Sequence, residues 1–447
     1  MPNVLLLMSD EHNPFYSSVA AHNQARTPNM ERLAESGTFF RNAYCPSPLC
    51  MPSRSAFMAG RRVHEVQAYS NCNALVPDHW ASYGQVLADQ GAHTAYIGKT
   101  DVYAPGEELG FSEMMMPGDR GYPGDTNHRR TPVSIRKGSA GRADGYGTDE
   151  NAGQGDVKCV DRAIQWLQNT APKLDKPWTL TVNVTNPHFA HIAPPEFWAL
   201  YDGGDLPDHG FECASARHPY ARDLQAHFET EQFSDEQIRG LRKGYRACVS
   251  FVDYQLGRVV DALEAEGLSE ETDLIYASDH GEMLGKFGMW WKCSLYEDSV
   301  RVPCVAAGPS FDAGEIVETP VDLLDVQATL FDLVDRDRPD EWVGEPLRDI
   351  PADDRQRIVF SEYHGHGTRA SAYMIRRGKW KYIHYVAAAN QLFDLEHDPD
   401  ELENLCETEP EVAGELEAEL RSICSPEEED RRGEELIEQQ LAAVGNG

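Results

Sequence analysis

Val4-Leu5-Leu6-Leu7-Met8 runs straight into Ser9-Asp10-Glu11-His12 near the amino terminus. Five consecutive apolar residues without polar alternation suit a strand buried on both faces, with acidic residues delivered at its carboxyl end. Helix signals follow: Thr27 as N-cap, Pro28 at the first helical position and Gly37 past the last. Further strands are expected at residues 94–97, 179–185, 274–277 and 302–306. Helical stretches at 80–90, 156–169 and 234–266 separate them, the last opening on a Ser234/Gln237 capping box. Strands alternating with helices predict an α/β fold, a mostly parallel sheet with helices on both faces. Sites in such sheets form beyond the carboxyl ends of the strands.

Two stretches break the rhythm. Residues 102–155 are rich in Gly, Pro and Asp and carry a basic run of His128, Arg129, Arg130, Arg136, Lys137 and Arg142, and residues 190–232 are similarly irregular. Loops this long in a compact domain are functional or disordered. The basic run reads either as a solvated loop or as a contact for an anionic or sulfated saccharide. After about residue 350 the pattern changes to short strands at 358–363, 372–375, 381–385 and 391–394, joined by turn residues such as Arg377-Gly378. That predicts a small antiparallel sheet, then an acidic helix over 409–423 and a charged helical tail from Ser425, a surface or oligomer element. The expected division is a catalytic domain over 1–350 and a carboxyl-terminal α+β subdomain over 351–447.

Composition narrows the function. Across 447 residues, 74 Asp plus Glu stand against 40 Lys plus Arg, a formal net charge of −34. A field of that sign argues against broad electrostatic binding to nucleic acid or an anionic membrane. Any anionic substrate must be held by a local cluster of cations. Arg outnumbers Lys by 30 to 10, which fits charges committed to ion pairs or anion contacts. No window approaches the roughly 18 apolar residues of a membrane span, and no basic leader precedes Val4, so a cytoplasmic location is expected. Ten irregularly spaced cysteines form no C-x-x-C pair, and most are expected to be buried thiols, with one chemically special.

The special one is Cys50. In Pro48-Leu49-Cys50-Met51-Pro52-Ser53-Arg54 the proline belongs in a helix's first turn, which sets the thiol at a helix amino terminus where partial positive charge favours an anion. Arg54, one turn later, can face the same point. Asp10 and Asp279 in Ser278-Asp279-His280-Gly281 each follow an apolar strand and so reach the same sheet edge. Clustered carboxylates there repel unless a cation lies between them. Hard oxygen ligands suit Ca²⁺ or Mg²⁺, and His280 also permits Mn²⁺ or Zn²⁺. A third set is cationic or proton-donating: Gly98-Lys99, Asn186-Pro187-His188, and Lys292-Cys293-Ser294-Leu295-Tyr296-Glu297 leading to Arg301-Val302-Pro303.

C-x-P-S-R with Gly60-Arg61 resembles the signature of the formylglycine-dependent sulfatases, and the G-K, P-H and K-x-S-x-Y-E elements follow in that family's order. Residues 245–253 resemble the family's long helix, residues 374–382 with 391–395 resemble the carboxyl-terminal sheet of its choline-sulfatase-like members, and Asn71 resembles a pocket Asn of the choline-sulfatase-like and phosphonate-monoester-hydrolase-like branch. The resemblance implies an alkaline-phosphatase-like fold and hydrolysis of a sulfate ester to alcohol and inorganic sulfate. It implies that a maturation enzyme oxidises Cys50 to formylglycine, whose hydrate is the nucleophile. One divalent cation, usually Ca²⁺ with Mn²⁺ the alternative, would bind Asp10, Glu11, Asp279, His280 and the residue at 50. Arg54, Lys99, His188 and Lys292 would be catalytic: Lys99 and Lys292 clamp the sulfate oxygens, and His188 protonates the leaving group. Asn71, Asp101 and His364 would contact substrate.

Three departures are visible. Ala59 stands where the family commonly has Thr, Glu11 is one methylene longer than the usual second acid, and Gly98-Lys99-Thr100-Asp101 replaces the usual G-K-x-H. An Asp beside a bound anion is costly unless it pairs with Lys99 or recognises a substrate hydroxyl or amine. The runner-up activity is hydrolysis of phosphonate monoesters or phosphodiesters at the same site. A rival of another class is a non-catalytic acidic cation-binding protein. The expected partners are a small-molecule or saccharide sulfate ester and the maturation enzyme, with a homo-oligomer open and neither nucleic acid nor membrane.

Overall fold

The computed structural model describes residues 3–19, 24–77, 79–201 and 213–445. In chain order the elements that build the site are β1 (Asn3–Asp10), α1 (Pro28–Glu35), β2 (Gly37–Phe40), α2 (Cys50–Ala59), β3 (His93–Lys99), β4 (Glu113–Gly118), α3 (Gln154–Asn169), β5 (Trp178–Pro187), α4 (Asp235–Ala265), β6 (Thr272–Ser278), β7 (Cys304–Ala307) and β8 (Glu315–Val317). After them come β9 (Ile358–Tyr363), β10 (Ala372–Arg377), β11 (Trp380–Tyr385), β12 (Gln391–Asp394), α5 (Pro410–Ile423) and α6 (Pro426–Ala443).

The large sheet has the order β8-β2-β7-β6-β1-β5-β3-β4, with β6, β1, β5, β3 and β4 all parallel and β7 reversed against both its neighbours. The apolar run that opens the chain explains its central place. Val4, Leu6 and Met8 project into one core and Leu5 and Leu7 into the other, so both faces are dry. The long helix α4 begins at the expected capping box, with Ser234 and Gln237 bonded reciprocally, and feeds both cores along its length. β9 to β12 form a separate antiparallel sheet with α5 packed on it through Leu416 and Leu420. An α/β sheet with helices on both faces plus a small carboxyl-terminal antiparallel sheet is therefore the observed architecture.

Several details differ from the sequence reading. Thr27 sits at the N-cap of α1, but its hydroxyl accepts from the Ser18 amide, and Gly37 already opens β2. The strand expected over 302–306 is interrupted at Pro303, which has no amide to offer a ladder, and its second half is β7. The irregular stretch 102–155 contributes the edge strand β4, while that at 190–232 lies partly outside the described residues. The tail helix α6 buries its inner face on this same chain: Ile437 and Leu441 are covered, Gln440 donates to the Ala74 carbonyl at 2.7 Å, and Asp430 receives Arg130 at 2.6 Å. None of the ten cysteines forms a disulfide and eight are buried. No helix among the described residues is long and apolar enough to cross a membrane.

Candidate active site

Asp10 ends β1 and Ser278 ends β6, and these strands pair in parallel with Ser9 opposite Ser278. Adjacent parallel strands thus deliver Asp10, Glu11, Asp279 and His280 to one edge. Cys50 is the first residue of α2, fully buried, with Leu49 as an extended N-cap. Its Sγ lies 3.3 Å from His280 Nε2 and 4.0 Å from Asp10 Oδ1. Ligand atoms of Asp10, Cys50, Asp279 and His280 all fall within 4.8 Å of one another, as do those of Asp10, Glu11 and His188. Two carboxylates and an imidazole at that spacing suit a divalent cation, and the buried Glu11 Oε1 has no hydrogen-bond partner. The residues present therefore fit one.

Cations line the same space. Lys99 closes β3 and pairs with Asp10, and Lys292 Nζ meets Glu11 Oε2 at 3.2 Å. His188, just past β5, brings Nε2 to 3.3 Å from the same Glu11 oxygen. Arg54 Nε donates to Asp279 Oδ2 at 2.7 Å and Nη1 donates to Asn183 Oδ1 at 2.8 Å, while its Nη2 is buried without a partner. Asn71 Oδ1 accepts from the Met51 amide at 3.0 Å, satisfying a first-turn N–H that α2 cannot pair itself. Ser53 Oγ donates to the Asp279 carbonyl at 2.7 Å and ties α2 to β6.

The electrostatics follow from this crowding. Burial opposes a thiolate at Cys50, but Lys292, Lys99 and His280 outweigh it and hold the thiol well below its ordinary range. Burial likewise opposes ionisation of Asp10, and Lys99 overrides it, so that carboxyl stays low. Glu11 goes the other way: burial dominates over Lys292 and His188 and lifts it to about 8. His280 rises to about 9 because Asp279 outweighs its own desolvation. Backbone strain accompanies the charges, with Glu11, Asp101 and Cys293 at φ +69°, +54° and +79°. Such conformations cost about 1–3 kcal/mol each and gather where geometry serves a site.

Asp101 lies 3.5 Å from Lys99 and grips Arg120 bidentately at 2.7 and 2.6 Å. This is one of the two arrangements that make an acid tolerable there, and it brings in Arg120, which the sequence reading did not single out. Asp10, Lys99, Asp101, Arg120, Asn183 and His188 line one open cleft of about 480 Å³. Asn183 was not singled out either: in Thr179-Leu180-Thr181-Val182-Asn183-Val184-Thr185 it continues a polar–apolar alternation and carries no separate signal. Asp156 was missed with less excuse of pattern: its buried carboxylate accepts the Thr185 and Asn186 amides at 2.7 and 2.9 Å and shapes the turn that carries His188. His364 is placed elsewhere in the network. It is 1% exposed, both ring nitrogens are engaged by Glu362 at 2.7 Å and Ser371 at 2.9 Å, and its ring contacts are Tyr69 and Tyr373. Among the described residues no hydrogen bond or ion pair joins it to the Cys50 group.

The family profile described as Sulfatase matches residues 2–336, and one described as N-sulphoglucosamine sulphohydrolase, C-terminal, matches residues 285–425. The choline-sulfatase of Rhizobium meliloti is 32% identical over 428 residues, which cover 91% of this chain and 82% of that protein. Among solved structures, a sulfatase from Bacteroides thetaiotaomicron superposes with a TM-score of 0.77 at 22% identity, over 96% of this chain and 94% of that one. A phosphonate monoester hydrolase from Silicibacter pomeroyi gives 0.72 at 22%, over 95% and 94%. The last two similarities concern the fold.

Proposed function

The chain belongs to the sulfatase family and is a sulfuric ester hydrolase, and from that premise we propose that it works through a formylglycine made from Cys50 beside one divalent cation. One observation carries the reading. A buried cysteine at a helix amino terminus shares its pocket with two lysines, a histidine and a carboxylate–imidazole group spaced for a metal ion. Asp10, Asp279 and His280 would hold the cation, Ca²⁺ first and Mn²⁺ second, with Glu11, grouped with Asp10 and His188, as the further acidic ligand. When present, the cation and the aldehyde hydrate supply Lewis acidity and a nucleophile.

The chain's own groups do the rest. Lys99 and Lys292 reach in from β3 and the 292–297 turn to neutralise sulfate oxygens, the preorganised charge that an anionic transition state needs. Arg54 fixes Asp279 through Nε and keeps Nη2 as a buried donor without a protein partner. His188, held at Nδ1 by the Phe189 carbonyl at 2.7 Å, keeps Nε2 toward the site and donates a proton to the departing alkoxide. Asp101 balances Lys99 and orients Arg120 on the cleft wall.

The test begins with protein made alongside a formylglycine-generating enzyme. Mass analysis of the tryptic peptide 42–54 should show formylglycine at position 50, with Cys45 as an unmodified internal control. Cys50→Ala should abolish turnover of an aryl sulfate while the far-UV circular dichroism stays native. Full activity of that variant would refute the mechanism. Matched aryl sulfate and aryl phosphonate substrates measure the preference between the two ester classes, and sulfate should lead.

A further inference from the structure

The basic run of residues 128–142 does not behave as one solvated loop. Arg130 is 2% exposed and bonds Asp430 and the His364 carbonyl, and Arg136 pairs with Asp125. Arg120, earlier in the same excursion, is committed to Asp101. Arg142 differs from all three. Its guanidinium makes no ion pair or hydrogen bond among the described residues and lies instead over the Phe189 ring at 4.4 Å, with Phe228 and Trp291 at 5.8 and 5.9 Å. Phe189 directly follows His188, whose ring stacks on it at 4.1 Å, and Lys292 Nζ lies 5.2 Å from the same ring. The Arg142 and Lys292 charges therefore flank one side chain and stand within about 10 Å of each other.

This placement is built and not incidental. Arg142 sits in the short turn Ala140–Asp144, whose far end is tied to α4 by Gln237 donating to Asp144 at 2.7 Å. The next residues, Tyr146–Thr148, pair in parallel with His191–Ala193, so the turn is fastened to the strand that follows His188. Arg142 remains partly exposed on the aromatic bed, and burial, then Arg136, bring its pKa down to about 10 against the weaker pull of Glu11 and Asp125, so it is a cation at neutral pH with no carboxylate in contact among the described residues.

Resting on the sulfatase reading, we propose that Arg142 and its aromatic bed form a specificity subsite for a second anionic group on the substrate. The sulfate ester hydrolysed would then carry another carboxylate or sulfate on the same or the adjoining sugar ring, delivered to Arg142 while Lys99 and Lys292 hold the scissile sulfate. The same geometry disfavours a quaternary ammonium alcohol, because the ring faces that would receive it already carry a guanidinium.

The test compares kcat/KM on matched pairs, using protein whose formylglycine content has been verified by mass. One arm sets mono-sulfated methyl glucuronides against the methyl glucosides bearing the same sulfate. The other sets disulfated against mono-sulfated methyl glucosamines. The wild type should prefer the anionic member of at least one pair by about tenfold or more, and the arm that responds distinguishes carboxylate from sulfate. Arg142→Gln should compress that ratio to within about threefold, Arg142→Lys should retain part of it, and added salt should weaken it. Equal wild-type turnover of both members, better turnover of choline sulfate than of either, or an Arg142→Gln variant that slows both members alike would overturn the subsite and leave the sulfatase reading standing. No turnover of any sulfate ester would overturn both.

Discussion

Replacing Arg54 with lysine keeps the charge and removes the fork. In the structure the guanidinium makes three bonds: Nε to Asp279 at 2.7 Å, Nη1 to Asn183 at 2.8 Å and Nη1 to the Lys99 carbonyl at 3.3 Å, with the side chain 2% exposed. A lysine ammonium is a point charge that can serve one of these partners from that direction. Two bonds to a charged donor are lost, each worth about 1.5–3 kcal/mol, so a destabilisation of about 3 kcal/mol is expected after relaxation. Asp279 loses its anchor as well, and losing a partner that orients a metal ligand costs about 10–100-fold in metal affinity. Calorimetric titration of Ca²⁺ into chelator-stripped protein measures the second effect, and urea denaturation in EDTA the first. A calcium Kd within threefold of wild type, with an unchanged denaturation midpoint, would refute the claim that Arg54 acts by holding Asp279.

Three further perturbations separate the remaining ideas. Lys381 is fully buried between Glu297 at 3.0 Å and Glu401 at 2.7 Å, so Lys381→Met should cost about 3–5 kcal/mol by taking the contacting cation from Glu401 and leaving Glu297 with Arg301 at 3.4 Å, read by chemical denaturation. Burial already lifts Glu401 to about 7 against the opposing pull of Lys381. A carboxyl raised in the folded state loses stability as pH climbs from its unfolded value near 4.5 through the folded one, so the variant should be relatively more stable at pH 5 than at pH 8. Asp156→Asn should weaken the two amide contacts at the His188 turn by about 1.5–3 kcal/mol and lower kcat more than it changes KM, because His188 is displaced and not removed. Chelator treatment should lower the thermal midpoint, and Ca²⁺ at 100 times its Kd should restore about 2.7 kcal/mol.

The amino-acid sequence by itself determined the elements and their polarity. An unbroken apolar run of strand length favours a place between two covered faces, a Ser-x-x-Gln pair ahead of a helical pattern favours a helix start, and a proline two residues after Cys50 suits a helix's first turn. These rules act over a few residues, so β1, α2, α4 and the four short strands of the carboxyl-terminal sheet were legible, as was the meeting of Asp10 with Asp279 once both were read as strand ends. Convergence from distant segments was not. That Arg120 would neutralise Asp101, that Arg142 would settle on the ring beside His188, that His364 would spend both nitrogens on Glu362 and Ser371, and that α6 would close over the 72–74 loop depend on where long excursions return. No periodicity encodes those returns. They are selected by what each buried charge, polar group or ring meets where the chain returns: a carboxylate for Arg120, a ring face for Arg142, a carbonyl for Gln440, because a polar or charged group taken out of water is costly without a partner.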